Sequence, residues 1–527
     1  MRVAVPLSAG DCTFHHGRPA SDARPKRQRT HPRTRFRYRR PTVTAPAAEP
    51  VDVGSRLELF VDDVLIDRMD GVAQRLCRPV PREPAIVVDR PWESPHFGYV
   101  TVFADRDLFK MYYRAMECSK EGSWPSGSAY AESTDGIHWT KPVLDIADFR
   151  GSTANNLVWN HKQSTNPSAG INLCPFRDDN PEADPAHRYK AVIRMQGSEG
   201  GFSMGSPDGL HWKPMTEEPN ITDFPPSEMT NHCLWDTRVQ RYVMYLRGWS
   251  RGGHMVGVRE TVRSESRDFL SWSEPEWIDY GDAPDEHLYT FAPVQYHRAP
   301  HIHVAFAKRY IPPPVGSAEW DEGIELIPGR RWPPCAVRDT WVGWYGQDHG
   351  VSDGVFAASR DGMRWKRYLE AFLRPGRDGE NWTDRNMQIA QGVLETAPDE
   401  LSIYFIEHYL HPTSRIRRAT LRLDGFVSIH AGYPGGDLVT KPLVFDGSDL
   451  VINHATSAAG FVKVQIEDEA GRALDGFRLE QCPEIYGDDI ERVVRWGDRA
   501  GAGTLAGRPV RLRFRIRDAD LYSLRFA

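Results

Sequence analysis

The sequence predicts an all-β fold, a five-bladed β-propeller followed by a C-terminal β-sandwich, on three observations. The first is a phrase that returns along the chain. It reads Ser133–Thr134–Asp135–Gly136–Ile137–His138–Trp139, then Ser206–Pro207–Asp208–Gly209–Leu210–His211–Trp212. It comes back as Ser266–Arg267–Asp268–Phe269–Leu270–Ser271–Trp272 and as Ser359–Arg360–Asp361–Gly362–Met363–Arg364–Trp365, with a shortened copy at Asp424–Gly425–Phe426. Repeats spaced some tens of residues apart, each ending in a turn and an aromatic, are the signature of propeller blades. The second observation is composition. With 44 Gly and 40 Pro among 527 residues and only short apolar runs, the chain favours strands and turns over long helices. The third is a change of pattern after Gly435–Gly436, where long stretches at 450–453, 461–466 and 510–516 alternate cleanly, as sandwich strands do.

The physics of the phrase is local. Asp bonds its own backbone, Gly tolerates positive φ, and the Trp that follows can pack between neighbouring sheets. Asp135, Asp208, Asp268 and Asp361 are therefore read as structural. Asp62 and Asp63 form a tempting pair, but they lie on a lead-in strand and are assigned to closure of the fold.

The domain reading follows from these signals. Residues 1–50 form a disordered basic extension, carrying the runs 24–29 and 33–40 and then a Thr-, Ala- and Pro-rich stretch. Residues 51–432 form the propeller and 433–527 the sandwich. Inner strands are expected at 99–103, 171–176, 232–235, 291–294 and 388–393. Second strands are expected at 109–114, 189–194, 242–247, 302–309 and 401–406. Third strands are expected at 128–131, 201–204, 255–258, 354–357 and 415–421. A Pro- and Trp-rich insertion near 311–349 reads as a loop over one face.

Charge and cysteine usage exclude some function classes. A formal net charge of −6 is small for this length and gives no nucleic-acid signature. The seven Cys are scattered with no CxxC, so neither a disulfide framework nor a structural zinc site is expected. No apolar run approaches the ~20 residues of a membrane span. No cofactor is expected, and nothing in the sequence indicates a structural calcium ion.

Position alone nominates a site. Propellers bind ligands at one end of the central channel. The heads of the inner strands, the ends of the second strands and the heads of the third strands meet at that end. The second strands end in Arg114, Arg194, Arg247 and Lys308–Arg309, a basic ring suited to a carboxylate, sulfate or phosphate. Some of these must face carboxylates, because an unpaired buried ring of like charge is costly. His287, Tyr289, Asp353, Trp382, Arg385, Asn386 and His408 lie at similar heights, and the aromatics there can stack on a sugar ring. Glu93, Glu228, Glu286 and Glu407 complete the acidic inventory.

Five blades followed by a sandwich resemble the five-bladed glycoside hydrolase superfamily of families 32 and 43, and in particular uncharacterised bacterial proteins described as similar to the family 32 N-terminal region. The phrases that carry the resemblance are 59–63, Pro91–Trp92–Glu93, Glu286–His287–Leu288–Tyr289–Thr290 and Glu407–His408–Tyr409. The family 32 signatures Asn-Asp-Pro, Arg-Asp-Pro and Glu-Cys are absent, and the second blade offers only Asn166 and Asn172 where family 43 has a carboxylate. The resemblance implies the fold and a glycosidase that acts on a carbohydrate, including an anionic one, at the propeller mouth, while its mechanism does not carry over; strand position nominates Glu93, Glu286 and Glu407 as the catalytic carboxylates of acid–base chemistry there. The alternative is a non-catalytic carbohydrate-binding or scaffolding propeller. The resemblance and the lack of a legible secretion signal point to a cytoplasmic bacterial protein whose partner is a carbohydrate rather than nucleic acid or membrane.

The basic extension has little apolar surface to bury. Deleting residues 1–48 should leave the melting temperature nearly unchanged, as measured by calorimetry. A large drop would show that the segment docks.

Overall fold

A computed structural model describes residues 49–95, 98–116, 126–160, 173–194, 200–222, 231–250, 257–311, 350–382, 386–409, 411–499 and 501–527. The basic extension, the insertion at 312–349, Arg385, Glu228, Asn166 and Asn172 lie outside them, as does the side chain of Arg194.

Five four-stranded antiparallel sheets are the blades. Blade one is Gly98–Asp105, Leu108–Met116, Ser126–Ser133 and Leu157–Asn160. Blade two is Phe176–Arg177, Tyr189–Arg194, Gly201–Ser206 and Lys213–Pro214, and blade three is His232–Asp236, Arg241–Trp249, Arg259–Ser266 and Glu276–Trp277. Blade four is His287–Tyr296, Ala299–Ile311, Val351–Ser359 and Lys366–Arg367. Blade five takes Leu394–Ala397, Glu400–Glu407 and Arg415–Arg422, and its outer strand is Val80–Val87 from the N-terminal side of the chain. The ring is thus closed by a strand that precedes blade one and completes the fifth sheet to four strands.

The recurring phrase does two jobs in the fold. Its Asp accepts backbone N–H groups two and three residues on: Asp135 Oδ1 from Ile137 and His138 at 2.7 and 2.8 Å, and Asp361 Oδ1 from Met363 and Arg364 at 2.8 and 2.7 Å. Its Gly then offers a carbonyl to two donors. The Trp of the same phrase donates Nε1–H, from Trp139 to Gly136 O at 3.1 Å, from Trp212 to Gly209 O at 2.8 Å and from Trp365 to Gly362 O at 3.0 Å. A buried Tyr from the second strand of the neighbouring blade donates the other bond. Tyr112 reaches Gly209 O at 2.9 Å, Tyr245 reaches Gly362 O at 3.0 Å, and Tyr404 reaches Gly136 O. In the third copy Phe269 holds the left-handed position at φ 65°, and Ser203 Oγ donates to its carbonyl at 2.6 Å. In the fifth, Tyr296 donates to the carboxylate of Asp424 at 2.6 Å.

Gln391 ties several blades together. The backbone of Gln391 bonds to Val100 O at 3.0 Å and to Val102 N at 2.8 Å in blade one. Its amide nitrogen reaches Cys233 O in blade three at 3.3 Å and Pro293 O in blade four at 3.2 Å, and its oxygen meets His232 Nδ1 at 2.7 Å. Next to it, Gly392 has φ +124°, and a Cβ there would lie 2.0 Å from Val102 O. Toward the ends of the inner strands a cavity of about 390 Å³ opens, lined among others by Phe103, Phe176, Trp235, Tyr296 and Val393.

The second body is a sheet that turns back on itself. Two long strands, Leu450–Glu467 and Arg511–Phe526, pair along their length, with a break between Thr456 and Phe461. One half is flanked by Asp488–Val493, Val427–Ala431 and Val72–Leu76, the other by Gly436–Thr440 and Ile66–Asp70. Ile452 and Leu521 from the first half share one buried core with Val464 and Phe514 from the second, so the sheet folds over a single core. The strands at 51–76 pair within this body, not within the propeller as a boundary at residue 51 implies. A short run of apolar alternation does not say which sheet it will join. Glu58, fully buried, ties the two bodies together through Arg360 Nη1 at 2.8 Å and His301 Nε2 at 3.1 Å. Asp62 and Asp63 join the same seam through Arg360 and Lys366, both at 2.7 Å. The described helical turns are short 3₁₀ pieces, and no helix among the described residues is long and apolar enough to cross a membrane.

Two substitutions test this account by urea denaturation. Tyr245→Phe removes one inter-blade donor while Trp365 keeps the carbonyl bonded, and should cost about 1 kcal/mol. Gly392→Ala meets both a backbone clash and a left-handed φ, and should cost several-fold more or prevent folding.

Candidate functional site

At the end of the channel opposite that cavity, the heads of the inner strands of blades one and four bring aromatic and basic side chains together. Tyr99, Tyr289 and Tyr310 form a buried cluster. Tyr99 sits at φ 53°, a strained value for a bulky residue, at the head of its strand. Arg114, opposite Gly98 in the register, lays its guanidinium 4.6 Å from the Tyr99 ring centroid. Arg247 lies 5.5 Å from the Tyr289 ring and 5.6 Å from Trp249. Lys308 Nζ is 3.6 Å from the centre of Tyr289.

Alternation explains how Lys308 and Arg309 part company. A bulge sets Leu288 opposite Arg309 and Thr290 opposite Lys308, with Tyr289 between them. Successive strand residues point to opposite faces. Lys308 therefore joins the aromatic cluster, and Arg309 turns to the other face of blade four.

Arg259 is the residue that sequence reasoning missed. Its guanidinium lies 4.6 Å from Trp249, 5.3 Å from Tyr289 and 5.2 Å from Tyr310. It heads the third strand of blade three, which begins at 259 and not at 255 as the pattern indicated. The rule that third strands start at the mouth would have found it with the correct register. Arg259 also donates to His287 Nδ1, from its backbone N–H at 3.1 Å and from Nη1 at 3.2 Å. Burial, helped by the Arg259 charge, pushes the His287 imidazole down to about 3, so it is neutral in the folded protein with the proton on Nε2.

The three glutamates lie in three separate networks, and no direct contact joins them among the described residues. Glu93, its side chain 1% exposed, accepts from Asp89 N at 3.1 Å, Arg90 N at 3.2 Å, Lys141 Nζ at 2.8 Å and Tyr113 Oη at 2.7 Å. Lys141 also holds Val87 O and Asp89, so Glu93 pins the closing strand to blade one. Glu286 pairs with Arg367 and, at 3.4 Å, with Arg309, which also grips Asp353 through Nε and Nη2 at 2.9 and 2.7 Å. Glu407 is held by Arg415 at 2.8 Å and Arg417 at 3.2 Å. Glu407 ends the second strand of blade five, Glu286 directly precedes the inner strand of blade four, and Glu93 lies in the loop before blade one. The sequence rule did not resolve which face each side chain takes.

A second cluster lies beside Glu407. Asp378 caps the short turn Gly379–Asn381 and presents Glu380. His408, at φ 55°, places Nε2 2.8 Å from Asp378 Oδ2 and Nδ1 2.9 Å from Glu380 Oε2. Asn386 braces the loop, donating to Glu380 O at 3.1 Å and accepting from Tyr409 N at 2.8 Å. Trp382 is 40% exposed, with its indole N–H on Gly376 O.

No protein-family model matches the chain. An uncharacterized protein of Mycobacterium tuberculosis (strain CDC 1551 / Oshkosh) is 28% identical over 171 residues, which is 31% of this chain and 50% of that protein. The chain thus spans about half the length of the curated relative it matches. Among solved structures, an N-acetylgalactosamine deacetylase from F. plautii in complex with blood group B trisaccharide is similar at 11% identity and a TM-score of 0.39, over 66% of this chain and 96% of that one. A family 43 arabinoxylan arabinofuranohydrolase from Bacillus subtilis in complex with cellotetraose is similar at 11% identity and 0.38, over 83% and 96%. The catalytic domain of the Coprinopsis cinerea family 62 α-L-arabinofuranosidase is similar at 9% identity and 0.37, over 66% and 98%. The propeller assignment itself rests on the strand pairing above.

The buried imidazoles carry a pH prediction. Burial lowers His232 to about 4, against the opposing bond from Gln391, and His287 to about 3. His411 and His454 are lowered too, chiefly by burial. His232 and His287 stay neutral when folded down to those values and take a proton near pH 6.5 when unfolded, so the unfolded chain binds more protons below that pH. Stability should therefore fall as pH drops from about 6.5 toward 4, by up to about 3 kcal/mol per fully buried group. Urea midpoints at pH 7.5, 5.5 and 4.5 measure this, and His232→Gln should flatten the slope.

Proposed function

We propose that this protein is a glycoside hydrolase-like propeller that takes an anionic carbohydrate at the basic, aromatic end of its channel. The observation that supports this reading is the packing of Arg114, Arg247, Arg259 and Lys308 on the faces of Tyr99, Trp249, Tyr289 and Tyr310. Flat aromatic faces suit a pyranose ring, and guanidinium groups recognise carboxylate or sulfate bidentately. Neutral His287 adds an N–H donor beside them.

Catalysis is assigned to Glu286 and Glu407, which stand at the head of an inner strand and the end of a second strand. Glu93 is withdrawn from that role, because its two oxygens are bound by four donors that hold the ring closed. A second reading, a carbohydrate-binding propeller without turnover, is favoured by the paired arginines that also occupy Glu286 and Glu407.

One screen separates the readings. The protein is tested against uronate-containing, sulfated and neutral oligosaccharides for both binding and cleavage. Tight binding of anionic members only, weakened at least tenfold by Arg247→Gln and by Arg259→Gln, is expected. Release of reducing ends that Glu286→Gln or Glu407→Gln abolishes establishes the hydrolase. Binding with no cleavage establishes the second reading. Preference for neutral glycans would overturn the anionic assignment.

A further inference from the structure

The cavity at the other end of the channel has a chemistry of its own. Every blade lends it an apolar side chain: Phe103, Phe176, Trp235, Val294 and Val393 in blade order, with Tyr296 as a second from blade four. Phe103, Trp235, Val294 and Val393 are only half-buried, so part of each apolar surface stays accessible. The volume of about 390 Å³ falls within the range of small-molecule sites, roughly 300–1,000 Å³. A cavity of roughly 150 Å³ already holds benzene, so this one has room for a fused or linked ring system.

The walls are braced against collapse. Behind the lining rings stand other rings, with centroids 5.8 Å apart for Tyr112 and Phe103, 5.7 Å for Phe269 and Phe176, and 4.8 Å for Tyr242 and Trp235. Tyr296 is pinned by its bond to Asp424 at 2.6 Å and by the Phe426 ring at 5.2 Å. A recess held open in this way is preformed for a ligand.

The polar groups of the lining decide the class of that ligand. The Gln391 amide is already used on Cys233 O, Pro293 O and His232. Gln295 donates to Asp236 and to Pro300 O, both at 3.0 Å, and accepts from Thr237 N and Oγ1, both at 3.2 Å. Arg177, the one arginine of the lining, is paired with Asp179 at 2.8 Å, and Glu395 meets His297 Nε2 at 3.3 Å. A sugar would give up water at its hydroxyls and find both wall amides engaged, and an anion would meet an arginine that already has its carboxylate. A flat uncharged ring system loses little water and gains the faces and edges of the lining aromatics.

We propose that this recess binds a neutral, planar aromatic molecule of two or three rings. The proposal does not depend on the carbohydrate reading, because it concerns the opposite end of the channel and its probe carries neither sugar nor charge.

The test uses the full-length protein and the neutral fluorophore N-phenyl-1-naphthylamine, whose emission rises in apolar surroundings. Titration should show one site per chain with a Kd of about 10–100 μM. 2-Naphthol should displace the probe, and methyl glucoside and glucuronate should not. Val294→Phe and Val393→Phe fill the recess from two different blades, and each should weaken binding at least tenfold, with melting curves to verify the fold. The displacement series needs no variant, so it still decides the matter if both replacements unfold the ring. Absence of saturable binding overturns the proposal, and so does binding that both filled variants keep unchanged. Displacement by methyl glucoside also overturns it and makes the recess a sugar site. A chain that sediments as a dimer until Val294 is replaced overturns it in favour of a second copy on this face.

Discussion

The propeller hangs on one shared acceptor. The glycine carbonyl in the repeated turn takes the indole N–H of its own blade and the phenol O–H of the next one. A buried carbonyl with two lone pairs filled is cheap to bury, and one left half-filled is not. The bond therefore fixes the angle between blades as well as their contact. Three of the five junctions use it in full. The other two replace it with Ser203 on Phe269 and Tyr296 on Asp424, and both keep a left-handed residue at the turn. Gln391 of blade five performs the corresponding task near the axis, its backbone bonding blade one and its side chain blades three and four.

Much of this was legible because it is local. An Asp-Gly turn followed by Trp announces itself in seven residues, and the second strand at 189–194 matches the structure residue for residue. What was not legible depends on parity and on distance. Lys308 and Arg309 are adjacent in sequence, yet a bulge at Tyr289 decides which one enters the aromatic cluster. Arg259 was missed because the third strand of blade three starts four residues later than its apolar pattern. Glu93 was read as a mouth residue from its lead-in position, and its four donors come from three separate stretches of chain. The strands at 51–76 carry no mark of the sheet they join.

The channel is asymmetric in character. One end is basic and aromatic around Tyr289, and the other is a mostly apolar cavity below Gln391. Gln391 bonds to blades one, three and four near that cavity. Cation–π packing lets the arginines be buried while keeping their charge directed by flat rings.

The closing strand at Val80–Val87 has a consequence for how the molecule is made. That strand emerges from the ribosome early, and its partner Arg415–Arg422 comes more than three hundred residues later. The strands at 51–76 wait longer still, for partners that run to residue 526. For most of synthesis the first segments are unpaired edges with nothing to bond, the kind of surface that recruits chaperones or aggregates. Blades one to four can form in order as they appear, but the ring closes only once Arg415–Arg422 is made, and the second body only once the strand reaching Phe526 is made. Nascent chains arrested before blade five should therefore hold native-like blades without a native molecule.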